Sequence, residues 1–128
     1  MKSYEALDSI RHPLASKAIR FGYTCSSMVM VSFLKREVEE AHRNGLQIRA
    51  ELEANGFTVE RMFIHEAWEN SSKPTLRQFI DAHPTGSYVM VTLTGGCHSM
   101  SLRDGVLMDT DMMGTSRRRI SVAYEVAA

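Results

Sequence analysis

Three residues in this chain have the types that attack and hydrolyse carbonyl groups: Cys25, His98 and Asp109. Cys25 stands in Tyr23-Thr-Cys-Ser-Ser27, directly before the apolar run Met28 to Val31. Thr24 or Ser26 can cap a helix that begins there. A cysteine in a first helical turn meets unsatisfied backbone N–H groups and the positive end of the helix dipole. Both favour a thiolate, and the same N–H groups can face a developing oxyanion. Cysteine is also among the most commonly buried residues, so position alone favours a packed thiol. His98 follows Gly95-Gly96 and opens an alternating segment, His98 to Arg103. A single histidine in such a place is more often a hydrogen-bonded structural residue than a base. Asp109 ends Val106-Leu-Met-Asp109. With Asp104-Gly105 as a two-residue turn, Arg103 pairs with Val106 and Met100 with Asp109, which makes His98 and Asp109 near diagonal neighbours. A carboxylate there holds an imidazole in one tautomer and stabilises its charged form. Read locally, Asp109 serves almost as well as a strand-end acceptor. Together the three suit attack by a thiolate on a carbonyl carbon, provided the fold brings them together.

The elements that must do so fall in two blocks. Residues 1 to 22 carry two short helical patterns divided by His12-Pro13 and closed by Gly22. The next helix is expected from about Thr24–Ser27 to about His42, apolar nearly all round in its first half and ended by Asn44-Gly45. A further helix is expected from about Leu46 to Ala54, then an extended segment Phe57 to Ile64. Thr75-Leu-Arg-Gln78 is a capping box before a helix that His83-Pro84 terminates. From Gly86 the period changes from about 3.6 to 2. Strands are expected at Tyr88–Leu93, His98–Arg103, Val106–Asp109 and Arg119–Val126, with a loop at Asp111–Ser116. The expected class is α+β: N-terminal helices, including a central one starting near Cys25, packed on a C-terminal antiparallel sheet of about three to five strands.

A length of 128 residues suits one domain. With 15 basic and 15 acidic side chains the formal net charge is zero, so no global field draws the chain to nucleic acid or anionic lipid. The longest apolar run is far short of a membrane span. No signal-peptide pattern is visible ahead of Cys25 and Cys97, and both are read as thiols in a reducing, cytoplasmic compartment. Nine Met residues suggest an irregular core. The Cys and His spacing is not that of a zinc module, and Gly95-Gly96 lacks the lysine and spacing of a phosphate loop. No metal or cofactor is therefore expected. Arg117-Arg118-Arg119 is a candidate phosphate contact. Consecutive strand residues alternate faces, and Asp104, Asp109 and Asp111 dilute the charge, so nucleic acid is not the favoured partner.

The stretch from Thr75 through Val91, followed by Gly96-Cys-His98 and Asp104-Gly-Val-Leu-Met-Asp-Thr110, resembles small papain-like domains of phage and bacterial proteins. It is also similar to the wider group that includes bacteriocin-processing C39-type peptidases. The likeness spans roughly residues 74 to 126. It implies one papain-like domain over residues 1–128, with Cys25 as nucleophile, His98 as general base and acid, and Asp109 orienting the imidazole. It further implies a peptide or protein substrate and, for a phage protein, the host cytoplasm. Such enzymes commonly carry a Gln or Asn shortly before the cysteine to complete the oxyanion hole, and Met1 to Thr24 contains neither. The hole then falls to Cys25 and Thr24, through backbone N–H groups or the threonine side chain, or to Tyr23. Ser26-Ser27 is also more polar than the family pattern. Three functions follow: a thiol-dependent hydrolase or acyl transferase, an inactive papain-fold domain that binds a host or virion protein, and a small nucleic-acid-associated factor using Arg117 to Arg119.

Overall fold

The structure is a computed structural model that describes residues 24–36, 38–62, 73–92, 98–108 and 119–128. The two expected N-terminal helical segments and the loop at 111–116 lie outside the described residues.

Thr24 caps the first described helix. Its backbone is extended and its side chain accepts the Ser27 N–H, which satisfies one of the four donors that open a helix. Helix α1, Cys25–Leu34, is buried from Ser26 through Phe33, as its all-round apolar sequence requires. It does not continue to His42. Lys35 turns into the left-handed region at φ 56° and donates its N–H to Val31 O, and residues 38–44 are not helical.

The reason is tertiary. Arg43 is buried, and its guanidinium donates to Ser27 Oγ, Ala41 O, Glu39 O and the Glu51 carboxylate. Its backbone N–H donates to Ser26 Oγ at 3.0 Å. A helix continued from Ser27 to Arg43 would hold these residues about 24 Å apart. The chain must fold back along α1 to make these bonds. Asn44 then starts a helix instead of ending one: Asn44 and Gln47 form a reciprocal capping box for α2, Gly45–Ala54.

Among the described residues five strands follow, interrupted by one helix: β1 (Thr58–Met62), α3 (Leu76–Ala82), β2 (Ser87–Thr92), β3 (His98–Arg103), β4 (Val106–Met108) and β5 (Val122–Ala127). The sheet order is β1-β5-β2-β3-β4, every neighbouring pair antiparallel. The β3–β4 turn is the expected Asp104-Gly105 pair, both at positive φ, and Arg103 pairs with Val106 as counted from the sequence. The last strand begins at Val122, not Arg119, which instead forms an isolated bridge with Thr75.

The sheet is covered on both faces. On one, Val89, Tyr124 and Val126 pack with Val29, Met30 and Phe33 of α1 and with Ile48 and Leu52 of α2. On the other, Tyr88, Met90, Met100, Leu102 and Ala123 pack with Leu76, Phe79 and Ile80 of α3. Alternate residues of β2 and β5 therefore enter different cores. The fold is α+β, with helices packed on an antiparallel sheet that is mostly C-terminal. Among the described residues no helix is long and apolar enough to cross a membrane.

Arg43 supplies a test of this fold-back. Arg43→Met keeps the apolar stem but removes the guanidinium donor from Glu39 O and the Glu51 carboxylate, so stability should fall by about 2–3 kcal/mol. Urea unfolding should show a lower midpoint at unchanged slope.

Candidate active site

The starts of two elements meet at the site: the first residue of α1 and the first two residues of β3. Polar side chains on one face of β3 bring them together. Ser101 Oγ lies 2.6 Å from Ser32 Oγ, and Ser32 Oγ also donates to Val29 O at 2.7 Å. Arg103 donates to Ser32 O at 2.6 Å and lies over the Phe33 ring, placing a cation on the carbonyl end of α1 where helix polarity favours one. With Ser101 and Arg103 tied to the end of α1, the helix runs alongside β3 in the same direction. Its first residue, Cys25, falls at the strand's beginning.

Cys25 is a half-buried free thiol. Ser99 Oγ donates to its Sγ at 3.5 Å, and the Ser99 backbone N–H and the His98 side chain also hydrogen-bond to it. His98 pairs in register with Thr92, the last residue of β2, so its ring is placed at the end of the ladder. Burial alone pushes the Cys25 thiol up. The His98 hydrogen bond, the two from Ser99 and the charge of His98 together outweigh it, and the pKa falls from 9.0 to about 7. A substantial fraction of Cys25 is then thiolate at neutral pH, which is the attacking form.

The donors of Thr24 are both engaged within the chain. Its N–H donates to Glu40 Oε1 at 2.9 Å and its hydroxyl to Ser27 Oγ at 3.2 Å. The N–H groups of Cys25 and Ser26, in the same turn, have no acceptor among the described residues. Glu40 Oε1 also accepts from Ser27 Oγ at 2.8 Å. The Thr24 N–H is the main reason the Glu40 carboxyl lies below its ordinary range.

Asp109, Cys97, Arg117 and Arg118 lie outside the described residues. Arg119 donates to Lys73 O. Thr92 Oγ1 is buried with no hydrogen-bond partner among the described residues, one strand across from His98. Among the described residues no three His, Cys, Asp or Glu side chains gather into a metal-binding group. Sequence reasoning brought out Cys25 and His98 but missed Ser99 and Glu40. The signal for Ser99 was available: Ser99, Ser101 and Arg103 alternate with Met100 and Leu102, an unusual polar series for a strand buried on both faces. Glu40 carried no such signal, because its role depends on the chain folding back. Comparison of the chain with protein-family models, with curated proteins and with solved structures gives no match.

Alkylation of Cys25 by iodoacetamide should rise with pH through a midpoint near 7. His98→Ala should move that midpoint up toward the ordinary thiol value of 9.0. Ser99→Ala, which removes the hydroxyl but keeps the backbone donor, should raise it by about one pH unit or less. Mass spectrometry of peptides separates Cys25 from Cys97.

Proposed function

We propose that this protein is a thiol-dependent hydrolase or acyl transferase acting on an amide of a peptide or protein, with Cys25 as nucleophile and His98 as general base and acid. The observation that carries this reading is the contact of His98 and Ser99 with Cys25 at the start of a helix, which lowers the thiol pKa to about 7. A merely packed cysteine has no need of three donors.

In the proposed reaction His98 takes the Cys25 proton and the thiolate attacks the carbonyl carbon. An S–C bond forms, and the carbonyl π electrons move to oxygen. The N–H of half-buried Cys25 is the donor available to that oxyanion. His98 then gives its proton to the departing amine as the C–N bond breaks, leaving a thioester. Water, deprotonated by His98, or an acceptor amine resolves the thioester and restores the thiol. Asp109 keeps the orienting role that the likeness to papain-like domains assigns to it. A reducing cytoplasm suits a mechanism that needs a free thiol.

The test is a screen of peptide amides carrying a fluorogenic amine, combined with intact-mass detection of an acyl-enzyme after rapid acid quench. Turnover, or an acyl adduct on Cys25, that disappears in Cys25→Ala and falls by at least about 100-fold in His98→Ala supports the reading. A thiol that titrates normally and forms no adduct with any acyl donor overturns it.

A further inference from the structure

We propose that Glu40 is a positioning residue for the oxyanion-binding end of α1. It holds the Thr24 N–H and the Ser27 hydroxyl on one carboxylate oxygen, fixing the helix opening so that the N–H of half-buried Cys25 remains directed at the carbonyl oxygen under attack. This rests on the reading of Cys25 as nucleophile. Glu40 is exposed, so burial gives its side chain no reason to take one conformation. Yet Oε1 receives two donors 16 and 13 residues earlier in the chain, at 2.9 and 2.8 Å. Both belong to the cap and first turn of α1, on either side of the nucleophile.

The segment carrying Glu40 is itself anchored. Arg43 binds Ser27 Oγ at 2.9 Å and reaches Glu51 on α2, and the Ala41 N–H donates to Ser27 Oγ at 3.3 Å. Ser27 Oγ is therefore the hub of a clasp whose outer arm is Glu40. The clasp uses the Thr24 N–H, and the Cys25 N–H has no acceptor among the described residues. Glu40 is not among the groups that shift the Cys25 thiol. Its effect on the reaction is therefore separable from thiolate formation: it acts on the oxyanion, and His98 and Ser99 act on the sulfur.

Two probes separate these effects on the full chain. Iodoacetamide reacts by displacement at a saturated carbon and forms no oxyanion. p-Nitrophenyl acetate transfers its acetyl group to Sγ through a tetrahedral oxyanion: the S–C bond forms, the ester C–O bond breaks, and p-nitrophenolate leaves with the electron pair. Glu40→Ala and Glu40→Asp, which remove or withdraw the acceptor, should slow Cys25 acetylation about tenfold while the alkylation midpoint stays near 7. Glu40→Gln retains an oxygen acceptor for the Thr24 N–H and should stay within about twofold of the parent. Circular dichroism checks the fold of each, and Asp carries the test if Ala does not fold. Acetylation at the parent rate in Ala or Asp overturns the proposal, as does an equal slowing of alkylation and acetylation. A parent chain whose Cys25 alkylates as an ordinary thiol overturns the nucleophile reading as well, which sets that failure apart from a failure of Glu40 alone.

Discussion

A helix whose first turn is buried has to find acceptors and donors for groups that water would otherwise satisfy, and this constraint at the start of α1 shapes much of the described structure. Ser26 and Ser27 are fully buried. Their hydroxyls need partners, since a buried hydroxyl without one costs on the order of 1–3 kcal/mol. The partners come from residues 40–43, downstream of the helix they serve. Supplying them forces α1 to end early, sends the chain back along its length, and brings Asn44 to the point where α2 can begin. Arg43 links this return to Glu51, so the placement of α2 and the closure of α1 follow from one set of bonds.

The same helix is fixed at its other end by β3. Ser32 and Ser101 share a buried hydroxyl contact, and Arg103 neutralises the carbonyl end. Anchoring at both ends leaves α1 little freedom to slide or rotate, and Cys25 is therefore delivered to the start of β3 by packing rather than by a loop. A pair of side chains held by rigid elements keeps its geometry better than a pair held on loops. The opposite sheet face contributes indirectly. Met100 and Leu102 pack under α3, which leaves the alternate positions of β3 to the polar contacts with α1.

Legibility from sequence followed the range of the interaction. The capping box at Thr75 and Gln78, the Asp104-Gly105 turn and the change of period at Gly86 are set by neighbours a few residues apart, and they appear in the structure where the sequence places them. The end of α1 was not legible. Val38 and Ala41 continue the helical spacing, and Lys35 is not a residue that announces a left-handed turn. The Ser27–Arg43 contact decides the matter, and it spans 16 residues. Asn44-Gly45 reads equally as a stop or a start until Gln47 is seen to close the box. For the site, residue type and local position pointed to Cys25 and His98, while their meeting depends on the direction in which α1 packs against β3. Periodicity cannot supply that direction.

The two perturbed acids near this helix end both add stability as pH rises, but in different pH windows. Glu40 has a pKa held below its ordinary value, so its bonds favour the folded state at all pH above the ordinary carboxylate range and are lost only in acid. Cys25 also has a lowered pKa, from 9.0 to about 7. Its ionisation therefore favours the folded state fully only above about 9, and that contribution is lost as pH falls through about 7. Near neutrality the clasp is fully formed, whereas the thiolate contributes only a small part of its stabilisation. The donors around Cys25 are thus of little use to stability at the pH where the protein is half ionised there. What they provide at that pH is a thiol close to its midpoint, with an imidazole in contact, and a thiol whose pKa matches ambient pH combines a useful thiolate fraction with high intrinsic nucleophilicity.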